Sequence, residues 1–175
     1  MPIGKTYVKI ATTTISSASS AVTFSNLPQN YTDLYLVLSV RANSAPTSFG
    51  TGIRFNGDTG TNYSFTNLRG DGAVAASSLQ SNYSWLPLTD DVVAGGSTTI
   101  PTLGTMDIFS YAGSTNKTEL QTVSQDLNGS GTVQRAVGLW RNTAAITSIT
   151  TFITSGASWY FGNGSTITLY GIKAA

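Results

Sequence analysis

The feature that most constrains this chain is the alternation in "DLYLVLSVRA", residues 33–42, where Leu34, Leu36, Leu38 and Val40 fall on one side and Tyr35, Val37, Ser39 and Arg41 on the other. A period of two belongs to an extended strand, whose successive side chains point to opposite faces of a sheet. Four large aliphatics in one register specify a central strand with a buried face. Weaker forms of the pattern recur in "TYVKI" (6–10), "AVTF" (21–24), "GIRFN" (52–56), "NYSFTNLR" (62–69) and "TMDIFSYA" (105–112). They continue in "KTELQTVSQDL" (117–127), "TVQRAVGLWRN" (132–142), "ITSITTFI" (146–153) and "STITLYGIK" (165–173). Turn chemistry separates them: "NLPQN", "NSAPTSFG", "AGGSTTIP", "NGSG" and "FGNGS". No segment carries a 3.6-residue period, although "GAVAASSLQS" (72–81) leaves room for one helical turn. About ten strands without intervening helices predict an all-β fold, an antiparallel β-sandwich of jelly-roll type. No linker or composition shift divides the chain, so one domain is expected over residues 6–175, preceded by a short arm at 1–5.

Composition removes most chemistry. The chain has no Cys and no His, which excludes disulfides, thiolate metal sites, the usual general base and the commonest metal ligand. Nine Lys and Arg stand against eight Asp and Glu, for a net charge of +1, and they are spread singly. A nucleic-acid partner is not expected, because binding phosphates requires clustered cations. No apolar run reaches the roughly 18 residues of a membrane span, and "MPIGKTYVKI" has no apolar signal-peptide core, so synthesis in the cytoplasm is expected.

What remains are acids, turns and aromatics. The stretch "GIRFNGDTGTNYSF" (52–65) reads as two strand ends around the reversal "GDTGTN", with glycine supplying positive φ and Asp58 bonding its own backbone. A hairpin is the expectation; a polar loop touching a partner or a hard cation is the alternative. A carboxylate pair is the one enzyme template that survives without His and Cys. Asp58, Asp71, Asp90 and Asp91 fall in loops and Asp107, Glu119 and Asp126 in strands, and no two share a marking motif. The doublet Asp90–Asp91 in "LTDDVVAGG" lacks the Asp-x-Asn/Asp spacing of calcium loops and reads as a solvated turn. No catalytic residue, cofactor site or metal site is assigned.

The aromatics carry more. In "SNYSWLPL", Tyr83 and Trp85 share one parity and Leu86 and Leu88 the other; in "SWYFG", Trp159, Tyr160 and Phe161 are consecutive; Trp140 lies opposite Val137 and Leu139. Neighbours on a strand cannot all face one core. These six aromatics are therefore the candidate interface, either as subunit anchors or as platforms for a glycan, unless both sheet faces are covered within the fold. Only 10% of residues are charged, against about a quarter in typical soluble domains. Such a surface suits packing against copies or neighbours.

The segment "GIRFNGDTGTNYS" and the closing "STITLYGIKAA" resemble small virion proteins of tailed bacteriophages, cyanophages among them. The resemblance is specific over residues 52–64 and 165–172. It implies a non-enzymatic β-sandwich subunit of the virion, a capsid decoration or cement protein bound to the major capsid protein. The alternative it implies is a tail-fibre or receptor-binding, glycan-binding module. Such proteins commonly work as trimers, so a homotrimer is expected. The absence of heptads or a repetitive shaft favours the capsid position.

Overall fold

Twelve antiparallel strands make two sheets in a computed structural model that describes residues 6–44, 50–89, 98–126, 129, 131–154 and 158–173. The expected arm at residues 1–5 and the Asp90–Asp91 doublet lie outside the described residues. In chain order the strands are β1 (Tyr7–Thr14), β2 (Ala21–Phe24), β3 (Asp33–Val40), β4 (Thr51–Phe55), β5 (Tyr63–Gly70) and β6 (Ala75–Tyr83). They continue with β7 (Leu86–Thr89), β8 (Thr102–Ile108), β9 (Lys117–Gln125), β10 (Thr132–Trp140), β11 (Ile149–Ile153) and β12 (Thr166–Ile172).

The large sheet runs β1-β12-β3-β8-β9-β10-β5-β6 and the small one β2-β11-β4-β7. The chain alternates between them: β1 to β2, β3 to β4, β7 to β8, β11 to β12. The four strands β1-β12-β3-β8 with β2-β11-β4-β7 make an eight-stranded jelly roll, the type expected from the sequence, within a total of twelve strands where about ten were expected. Two further hairpins, β5–β6 and β9–β10, extend the large sheet past β8.

The core is what the alternation in β3 requires. Leu34, Leu36, Leu38 and Val40 are buried, and they meet Ile53 and Phe55 of β4, Leu86 and Leu88 of β7 and Ile149 of β11. In the extension the inward face changes character. Glu119, Gln121, Gln125, Thr132, Gln134 and Asn67 are all buried there. The cover here, β7 at the edge of the small sheet and the segment before β8, offers backbone carbonyls: Gln121 Nε2 donates to Pro87 O, and Gln125 Nε2 to Ile100 O at 3.4 Å. Amide side chains suit such a cover because a buried carbonyl needs a donor.

Three expectations change. The helical turn at 72–81 is instead the edge strand β6, entered by a turn in which Gly72 has φ 87° and Asp71 Oδ1 accepts from Ala73 N and Val74 N at 2.9 and 2.7 Å. The strand placed at 105–112 begins at Thr102 and stops at Ile108, where Ser110, at φ 50°, starts a turn closed by Gly113 N to Ser110 O. The stretch at 52–65 is not a hairpin: β4 pairs with β11 and β7, whereas β5 pairs with β10 and β6. Residues 57–62 cross between sheets because Phe55 and Tyr63 both point into the shared core from opposite sides, with ring centroids 6.3 Å apart.

Candidate functional site: the outer face of the large sheet

The inter-sheet crossover is a structural hub. Asp58 Oδ1 accepts from Gly60 N at 2.8 Å, and Oδ2 accepts from Asn62 Nδ2 at 2.9 Å and from Trp140 Nε1 at 2.7 Å. Burial pushes the Asp58 carboxyl pKa up, but these three donors outweigh it and leave it below its ordinary value. Trp140 stacks on Tyr63 (6.3 Å, 18°) and tilts against Phe55 (5.5 Å, 59°). The Tyr63 hydroxyl accepts from Phe55 N at 3.1 Å, and burial raises its pKa to about 12. Both oxygens of the Asp58 carboxylate are engaged within the fold, which makes this stretch a structural turn, with Thr59 and Thr61 exposed at its tip.

Of the six candidate aromatics, two are excluded from any interface. Trp140 and Phe161 are fully buried. Phe161 is clasped between Ser19 and Ala42, and Trp140 fills the core beside Phe55 and Tyr63. Tyr83, Trp85, Trp159 and Tyr160 are half-buried. Tyr83 and Trp85 pack on one another (4.5 Å) and Trp85 meets Phe152 edge-on (6.1 Å), with the Arg54 guanidinium 4.4 Å from the Phe152 ring centre. This cluster seals the outside of the small sheet over Gly52, where a side chain would come within 2.8 Å of Trp85. Tyr160 exchanges bonds with Asn43, its N donating to Oδ1 at 2.9 Å and its O accepting at 3.1 Å.

The surface that alternation leaves open lies elsewhere. With Trp140 inward, β10 presents Val133, Arg135, Val137 and Leu139 outward, the reverse of the parity expected from the sequence. Pair register places these in rows across the sheet. One row runs Leu79, Thr66, Val137, Leu120, Asp107; the next Ser77, Leu68, Arg135, Thr122, Thr105; the third Ala75, Gly70, Val133, Ser124, Leu103. Leu79 is 70% exposed, Leu68 61%, Val133 57%, Leu103 53% and Val137 47%. Arg135 and Asp107 are the two charges in these rows. Arg135 reaches Thr122 Oγ1 at 3.4 Å, and burial raises the Asp107 pKa while Arg135 partly offsets the rise. This nearly neutral sheet face with its five exposed aliphatics is the candidate surface. Sequence reasoning missed it by following the tryptophan. The available signal was Gly138, which belongs to the inward parity because a side chain there would sit 2.0 Å from Glu119 Oε1 and 2.7 Å from Leu86.

The strand acids Asp107 and Glu119 do not meet. Asp107 points outward and Glu119 inward, on opposite faces of adjacent strands, since Asp107 pairs with Leu120 and Ile108 with Glu119. Among the described residues no cluster of three acids could hold a metal ion. No family model, curated protein or solved structure matches this chain.

Proposed function

We propose that this protein is a non-enzymatic structural subunit of a tailed-phage virion, a decoration or cement protein that lies on the capsid with the outer face of the large sheet against the shell. The observation that carries the reading is that face: Leu68, Leu79, Leu103, Val133 and Val137 exposed together with little charge among them. A subunit that covers this patch gains about 25 cal/mol for each Å² of apolar surface removed from water. The jelly roll adds support, being a fold used by both capsid and lectin domains. The partners in this reading are the major capsid protein and further copies of the chain, and the location is the virion.

The glycan-binding tail module is the weaker reading. The open groove at the end of β5, β8 and β10 brings Asp71, Gln125 and Asp126 near Leu103 and Val133. Asp71 already accepts from Ala73 and Val74, and Asp126 from Gly129 N at 2.7 Å, so both acids are engaged by their own loops. Labelling the protein on purified virions tests the proposal. Label spread over the icosahedral surface is the expected result, and label confined to the tail overturns it.

A further inference from the structure

Four strands edge the two sheets, and three are protected. β1 has a bulge between Lys9 and Ala11 and carries that lysine; β2 has four residues; β7 has four and includes Pro87. Charge, bulges, proline and shortness are the usual means of keeping an edge from pairing with another chain. β6, "AASSLQSNY", has nine residues, no charge and no proline; its pairing with β5 shifts register only past Gln80, opposite Tyr63–Phe65, and is unbroken from Ala75 to Gln80.

Which of its groups face the open side follows from the ladder. Asp71 N donates to Val74 O at the hairpin end, and Arg141 N donates to Asn62 O on the other side of β5. Antiparallel pairs alternate between bonded and non-bonded. Odd-numbered residues of β5 therefore bond toward β6, even-numbered ones toward β10, and Ala76, Ser78 and Gln80 are the β6 residues that face β5. Ala75, Ser77 and Leu79 direct their N–H and C=O groups to the open edge.

We infer that β6 pairs with β6 of a second copy about a two-fold axis at Ser77, joining the two large sheets into one. In that register Ser77 lies opposite Ser77 of the partner subunit, and Ala75 opposite the partner's Leu79. All three open residues then find backbone partners in both chains. The side chains also fit: Leu79, on the outer face, lies over a residue no larger than alanine, the two small serines meet at the axis, and no like charges are apposed. A second copy is the occupant because the sequence about Ser77 complements itself, and an isologous two-fold contact is the commonest way identical chains close. Pairing of this kind gives a dimer where the sequence suggested a trimer, and it is independent of the virion reading.

The absence of cysteine makes the register directly testable. Paired residues at a bonded site lie about 5.5 Å apart between Cα atoms, within disulfide reach. Under mild oxidation Ser77→Cys should cross-link to itself at least about tenfold faster than Ala75→Cys or Leu79→Cys, which face different residues in the pair. Light scattering at micromolar concentration should give the wild type twice the 18.3 kDa chain mass. Ser77→Pro removes an N–H that faces the open edge, not β5, and should give a folded monomer whose melting temperature no longer depends on concentration, whereas that of the dimeric wild type rises with concentration. Equal cross-linking at the three positions, a monomeric wild type, or a mass that Ser77→Pro leaves unchanged overturns the inference. The cysteine variants alter no backbone bond, so they decide the register even if the proline lowers stability.

Discussion

Trp140 Nε1 donates to Asp58 Oδ2 at 2.7 Å, tying the last residue of β10 to the turn that carries the chain from the small sheet to the large one. Replacing Asp58 by Ala leaves that indole N–H without its acceptor, at a cost of about 1–3 kcal/mol. The carboxyl pKa is lowered in the fold from 3.8. Its contribution is therefore present above about pH 4 and lost as pH falls through the lower folded value. Denaturant titration should show the gap between wild type and Asp58→Ala narrowing below pH 4; a constant gap down to pH 2 would remove the carboxylate from the account.

Glu119 has the opposite sign. It is buried between the sheets, neither of its oxygens has a partner among the described residues, and burial raises its pKa from 4.5 to about 8. Below pH 4.5 the carboxyl is protonated folded and unfolded, so it has no pH-dependent effect. Between about 4.5 and 8 the unfolded chain releases a proton that the folded chain keeps, and stability falls as pH rises, by at most about 1.4 kcal/mol per unit. Glu119→Met should be more stable than wild type at pH 8, with the advantage shrinking toward pH 5. An advantage that does not change with pH would show that Glu119 is not buried as described.

The alternation of β3 and β12 was readable because one side of each strand is apolar and buried, Leu34, Leu36, Leu38 and Val40 in β3 and Ile167 and Leu169 in β12. β6 was not readable: nearly all its residues are exposed, so no face was selected for apolar residues and no period survives. The candidate site was misread for a related reason. On β10 either parity offered a hydrophobic set, Trp140 with Ala136 or Val137 with Leu139, and the choice was made by partners distant in sequence, Asp58, Tyr63 and Phe55. The aromatics marked the core, and the smaller aliphatics were left to the surface.

Trp85 tests that reversal. Its ring closes the outside of the small sheet with Tyr83, Phe152 and Arg54. Trp85→Ala should lower the melting temperature while leaving the assembly mass unchanged. The loss should fall below the roughly 3–5 kcal/mol of a fully buried aromatic, which Trp140→Ala should reach. Dissociation of a stably folded Trp85→Ala assembly would return this aromatic to the interface.

The outer face makes the sharpest demand on the proposed function. Leu68 and Val137 lie in adjacent rows of neighbouring strands, and among the described residues Arg135 is the cation of those rows. Both are exposed, so Leu68→Asp with Val137→Asp should leave the protein folded, each substitution costing about 0.5 kcal/mol or somewhat more at the half-covered Val137. Against a shell the same two carboxylates would have to be desolvated with the single cation Arg135 to share between them, which costs far more than the lost apolar contact. Binding to undecorated capsids, measured by co-sedimentation, should therefore disappear in the double variant and persist in Thr143→Asp, a charge placed in an exposed loop after β10. The double variant should also remain at twice the chain mass, because Ser77 and its neighbours at the β6 edge are untouched. Undiminished capsid binding by the double variant would rule out this face as the contact, whatever the oligomeric state.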